Sequence, residues 1–284
     1  MMQFHSSVLC HVVSTCLLLA ASAWLQGATA DDGKYGDANA NDGVHLRVGG
    51  ALSFRPKYEG SDEHDVYGIP LIIPDFGSSY RLPGVADRLE FRGIDDVRFK
   101  LLNRYYGFEA GPLVGYAFGR DEDDGDLLDG LGDVDDGFIV GGFIGYRWYG
   151  LLFDVSYHHQ VTGDVDGGQL RFGLSSKVPV SDRVILTGRV GATYADDDYM
   201  AAYFGVSEAQ SNNSGANLAE FDAEAGFKDI HLETGATIDL GYNWQLLTKL
   251  RYSRLIGDAA DSPVIETEDQ FSGTVGLTYR FRVR

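Results

Sequence analysis

The sequence predicts an all-β chain: a transmembrane antiparallel β-barrel of twelve strands, with short periplasmic turns at one end and long extracellular loops at the other. Three observations predict it. Apolar residues recur at every second position, the period of a strand with two unlike faces. The alternating stretches run roughly 10 to 14 residues, about twice the common length in soluble sheets. A tilted strand needs only ~9–11 residues to cross a bilayer. The connectors also alternate, tight then long, beyond residue 104, which is the asymmetry of outer-membrane barrels. A soluble sandwich shares the alternation, but not the strand length or the loop asymmetry.

The first thirty residues contain no Lys, Arg, Asp or Glu. An apolar run, Cys16 to Leu25, precedes Ala28-Thr29-Ala30. This reads as a signal peptide over 1–30, cleaved before Asp31. An uncleaved anchor competes, because the segment ahead of the apolar run carries no Lys or Arg. Residues 31–43 read as a flexible segment and 44–284 as the barrel. Both cysteines, Cys10 and Cys16, fall within the leader. A mature chain without cysteine excludes disulfides, thiolate zinc sites and cysteine nucleophiles.

The first strand presents Val44, Leu46, Val48, Leu52 and Phe54 on one face, with His45, Arg47, Ser53 and Arg55 opposite. A long hairpin near Pro56 to Val66 follows. Residues 67–102 hold Pro70, Pro74 and Pro83, which a central strand should not contain. Three short or irregular strands are expected there, or two fewer, giving ten in all. A tight turn is expected near Asn103–Arg104. Tyr106 to Phe118 then alternates. Phe138, Val140, Ile144, Tyr146 and Trp148 face lipid, and after a turn at Trp148–Gly150 so do Leu151, Phe153, Val155 and Tyr157. Leu170 to Val178, Val184 to Tyr194, Ile230 to Leu240, Trp244 to Tyr252 and Phe271 to Phe281 complete the set. The aromatics Tyr105, Tyr106, Trp148, Tyr149, Tyr242, Trp244, Tyr279 and Phe281 gather at the tight-turn end, as an interfacial girdle does.

The formal net charge of −19 sits mainly in loops. Nine carboxylates lie between Asp121 and Asp136. Their spacing fits no EF-hand, and a solvated loop is the expectation. His158 and His159 are adjacent, so they point to opposite faces and do not chelate one metal. Asp258, Asp261 and Ser262 are ordinary turn formers, with no His nearby in sequence to activate the serine. The stretch "YMAAYFGVSEAQ" lacks a period of two and reads as a short helix or a packed surface loop. Inward positions are rich in Arg and Lys against Glu109, Asp154, Glu233 and Asp239. Arg47, Arg171, Arg189 and Arg251 are the clearest lumen-facing cations. Such a wall either packs a narrow lumen through ion pairs or favours anions.

The loops carry a further signal. "RPKYEGSDEH" holds Tyr58, Gly60 and Ser61. "YFGVSEAQSNNSG" and "FDAEAGFKDI" bracket the longest loop. "GDAADSP" holds Gly257, Asp258, Asp261, Ser262 and Pro263. Together these resemble the MipA/OmpV family, the MltA-interacting protein family of outer-membrane proteins, over essentially the whole mature chain. The resemblance implies residence in the outer membrane of a Gram-negative bacterium, in contact with lipid and lipopolysaccharide. It implies a non-catalytic scaffold that links a murein lytic transglycosylase to a murein synthase. The alternative is a small porin-like or stress-responsive barrel with a basic lumen. No cofactor, metal or nucleic acid is expected, and an outer-membrane hydrolase is the remote third reading.

Overall fold

A computed structural model describes residues 45–75, 89–163 and 165–282. The expected leader 1–30, the segment 31–43 and Pro83 lie outside the described residues. Thirteen strands form one antiparallel sheet. They are β1 (His45–Pro56), β2 (His64–Asp75), β3 (Leu89–Gly93), β4 (Asp96–Phe99), β5 (Leu102–Tyr105), β6 (Phe108–Ala117), β7 (Gly137–Trp148), β8 (Leu151–Gln160), β9 (Gly168–Ser181), β10 (Val184–Ala195), β11 (Gly226–Gly241), β12 (Trp244–Leu255) and β13 (Asp269–Arg282).

Their order is β2-β1-β13-β12-β11-β10-β9-β8-β7-β6-β4-β3, with β5 also on β6. β4 meets Leu113 and Val114, whereas β5 meets Phe108 and Ala110. The two are therefore one interrupted strand, and the path has the expected twelve positions. β1 and β13 pair over His45 to Phe54, which joins the two ends of the meander. The path ends on β2 and β3; residues 76–88 between them lie outside the described residues.

The period of two sets which way side chains face. On β7, Phe138, Val140, Ile144, Tyr146 and Trp148 are exposed on the outer wall, while Ile139, Phe143 and Gly145 are buried inside. On β1, Leu52 and Phe54 are outward and Ala51 and Ser53 inward. With no water in the hydrocarbon, a sheet crossing it must satisfy its own backbone. Continuous ladders do that for every strand between β2 and β3 in the described path.

The structure corrects several expectations. The tight turn is at Tyr106–Gly107, and Asn103–Arg104 lie within β5. The glycine at 107, with φ +85°, supplies the left-handed position of the turn. Prolines do not break residues 67–75: Pro70 and Pro74 sit inside the twelve-residue β2, opposite Gly50 and Leu46. Four residues apart, both aim their missing N–H to the same side, and β2 ends the described path, where a proline is tolerated. Arg183, which parity with Arg189 would aim at the lumen, lies in the β9–β10 turn instead.

One irregularity changes the lumen. The β10–β11 register shifts at Thr193/Tyr194, so that Asp229 pairs with Thr193 but Phe227 with Tyr194. The extra residue is Lys228. A bulge re-aims side chains, and here Lys228 and Asp229 are both buried inside while Phe227 stays on the outer face.

Candidate functional site

Two layers occupy the barrel: an ion-paired waist and a folded cap over the outer mouth. At the waist, Asp154 on β8 has no exposed side-chain surface and binds three guanidiniums. Arg189 of β10 lies at 2.6 Å, Arg92 of β3 at 3.1 Å and Arg98 of β4 at 3.2 Å. Arg98 also grips Asp96 at 2.8 Å through both Nε and Nη2, a fork geometry that only arginine offers. Glu90 of β3 takes Lys100 at 2.9 Å and, from β9, Lys177 at 3.7 Å. β3 and β9 stand five places apart in the twelve-place order, nearly opposite one another. These pairs therefore bridge the lumen.

The lumen-facing cations read from sequence all have partners. Arg171 reaches Asp95 at 2.5 Å, Arg189 reaches Asp154, and Arg251 reaches Glu233 at 2.8 Å and Asp229 at 3.5 Å. Arg47 donates to Gln245 at 2.9 Å. The tally of inward acids omitted Glu90, Asp96 and Asp229. The first two were hidden because residues 67–102 show no clean alternation. Asp229 has the same inward parity as His231 and Glu233 but lies one residue ahead of the alternating stretch that begins at Ile230, and the bulge adds Lys228 to the same side. No residue type signalled the bulge.

The cap is built by all five long connectors. The 196–225 loop contains α1 (Asp197–Phe204) and α2 (Glu208–Asn213), and the last loop contains the short turn of helix α3 (Asp258–Asp261). The stretch left open between helix and loop is thus helical. Asp196 starts α1 by accepting from the Tyr199 amide, and Ser207 starts α2 with a reciprocal Gln210 bond. Met200, Tyr203 and Phe204 from α1 pack on Val165, Ala223, Leu255 and Ala259. Tyr58, Leu128, Leu131, Val206 and Val264 form a second apolar cluster beside it. The acidic stretch is therefore more than a solvated loop, since Leu128, Leu131 and Val134 anchor it in this core. Among the described residues no group of three or more His, Cys, Asp or Glu is placed to hold a metal ion.

The residues of the loop motifs converge here. Tyr58 donates its hydroxyl to the Val264 carbonyl at 3.2 Å, and Ser61 donates to Glu266 at 3.1 Å. Gly60, at φ +107°, accepts from the amides of Glu266 and Thr267. A Cβ on Gly60 would overlap the Ile265 side chain. Gly257 caps α3 at φ +59°, and Asp258 accepts from the Glu224 amide at 2.8 Å. Ser262 donates to the Phe204 carbonyl at 2.5 Å. Pro263 follows it directly, ahead of the buried Val264. Asp261 closes α3. The serine is a strut between loops rather than a nucleophile beside a base. Burial raises the Tyr58 hydroxyl pKa well above the usual phenol range, with Glu266 adding to it. Burial likewise pushes Tyr203 up to about 12.

At the opposite end, three two-residue turns share a feature. Tyr106, Tyr149 and Tyr242 have φ of 50°, 45° and 52°, and are 81%, 81% and 94% exposed. Bulky residues rarely adopt that region. Asn or Gly is the usual occupant of such a hairpin turn.

A family model described as "MltA-interacting protein MipA" matches residues 48–281. The chain belongs to the MipA family. A relative from Escherichia coli (strain K12), described as "Putative outer membrane protein YiaT", is 30% identical over 99 residues. That match covers 35% of this chain and 39% of the relative, so the chain spans about two fifths of the curated relative it matches. Among solved structures, the outer membrane channel DcaP of Acinetobacter baumannii aligns at TM-score 0.39 and 9% identity, covering 86% of this chain and 99% of that one. OmpT of Vibrio cholerae aligns at TM-score 0.36 and 7% identity, covering 84% and 97%. This MipA-family chain is an outer-membrane β-barrel protein.

Proposed function

We propose that the protein is a non-catalytic outer-membrane scaffold whose periplasmic turns hold a murein lytic transglycosylase, the partner class in the family's description, beside murein synthesis. The observation that carries this reading is the trio Tyr106, Tyr149 and Tyr242. Each occupies a left-handed turn position at a cost of order 1–3 kcal/mol, and each is almost fully exposed. Retained strain at an exposed site points to a use for the side chain. Tyrosine offers a large contact area with little entropy to lose, and for that reason it is enriched where proteins dock. The bridged waist and folded cap fit a scaffold better than an open pore.

The test separates docking from folding. Tyr106→Asn, Tyr149→Asn and Tyr242→Asn combined place the preferred turn residue at each site. The triple variant should therefore fold at least as well, by heat-modifiability on detergent gels. It should lose most capture of a purified lytic transglycosylase that the parent retains. Undiminished capture would sink the docking role of the turns. Steady conductance in planar bilayers, with a preference for anions, would instead favour the pore.

A further inference from the structure

Between cap and waist lies a chamber of about 420 Å³, within the usual ~300–1,000 Å³ of small-molecule sites. Tyr199, Tyr203 and Glu59 border it from the cap, while Arg55, His158 and Arg171 line it from the wall. Two of these groups lack the partners that buried polar atoms normally have. Arg55 makes no ion pair among the described residues. Its guanidinium lies 4.1 Å from the Tyr67 ring and 4.6 Å from the Phe118 ring, and its buried Nε has no hydrogen-bond partner. His158 is only 3% exposed, yet its Nδ1 also has none. The Asp95 backbone faces the same ring, at the margin of hydrogen-bond geometry.

The neighbours fix what His158 presents. Ser156 Oγ accepts from Arg98 Nη2 at 3.0 Å and lies 3.0 Å from His158 Nε2. With one lone pair already taken by Arg98, the Ser156 hydroxyl is assigned as the donor to Nε2. The imidazole proton then sits on Nδ1, so the orphan atom is a donor. By contrast, the carboxylates at the chamber are occupied. Glu59 binds Lys228 and accepts from the Tyr199 hydroxyl, and Asp95 binds Arg171. What remains unfilled is one guanidinium and one N–H donor, beside the hydroxyls of Ser253 and Ser272.

We infer that this chamber binds a small hydroxylated organic anion, of sugar-acid size. Its charged group meets Arg55, and an acceptor oxygen meets the His158 Nδ1–H. The assignment is independent of periplasmic docking. Calorimetry on the full chain in detergent would use glucuronate, with glucose and glucosamine as neutral and cationic counterparts. Glucuronate should bind at least tenfold more tightly than either. Arg55→Gln should weaken it tenfold or more, with the barrel still heat-modifiable. In parallel, the His158 Nδ1 resonance should shift on adding glucuronate to the parent protein. Absent glucuronate binding, equal binding of all three sugars, or unchanged affinity in Arg55→Gln would overturn the proposal. If Arg55→Gln fails to fold, an unmoved His158 resonance in the parent overturns it.

Discussion

Asp154 shows how one residue organises the lumen. Removing it affects its three partners unequally. Arg98 keeps Asp96 at 2.8 Å and Arg92 keeps Glu90 at 3.3 Å, but Arg189 makes no other ion pair among the described residues. Breaking a buried pair strands the remaining charge, at about 3–5 kcal/mol. Asp154→Ala should cost that much in urea unfolding from lipid vesicles. Asp154→Ala with Arg189→Leu should recover most of it, and failure to recover would show that the loss does not come from the stranded guanidinium. The inward aim of Asp154 was legible, because β8 alternates cleanly. Its partners Arg92 and Arg98 were not, because they sit on strands of five and four residues, too short to show a period. Parity with Ile230 and Leu232 would aim Lys228 at lipid, and the bulge that turns it inward leaves no mark in composition.

At the scale of elements, the cap is a small folded body made from connectors. Gly60 is its tightest joint. Gly60→Val combines a left-handed φ with overlap on Ile265, and should release the first loop from Glu266 and Thr267. Limited proteolysis should then cut within residues 196–225 much faster than in the parent, while the barrel remains heat-modifiable. Equal cutting rates would mean the loops hold together without that joint. The motif residues were readable as a set, but their role was not. Tyr58 and Val264 lie 206 residues apart, and no local pattern reports such a contact. The acidic loop misled for a related reason. Its three anchoring apolar residues, Leu128, Leu131 and Val134, are outnumbered by carboxylates that simply face water.

For the whole molecule, strand length and loop asymmetry sufficed to predict the barrel, because the membrane constrains both. How firmly its mouth is shut depends on pH. Tyr58, Tyr199 and Tyr203 are buried in the cap with raised pKa values. Below about pH 10, the ordinary phenol value, all three are protonated whether the cap is folded or open. Above it the open form loses protons first, so cap stability falls as pH rises towards about 12. Protease protection of the 196–225 loop should therefore hold from pH 7 to 9 and drop steeply above 10. Tyr203→Phe should flatten that drop, and an unchanged profile in that variant would remove Tyr203 from the cause. The β1–β13 seam has a consequence for assembly. Every other described ladder except the one joining β4 to β6 links strands consecutive in the chain, whereas this one joins Phe54 to Gly273. Bringing together segments so distant along the polypeptide is entropically slow. The β13-facing edge of β1 therefore stays unpaired and sticky until the last strand arrives. That interval is when the nascent molecule most needs a chaperone's protection.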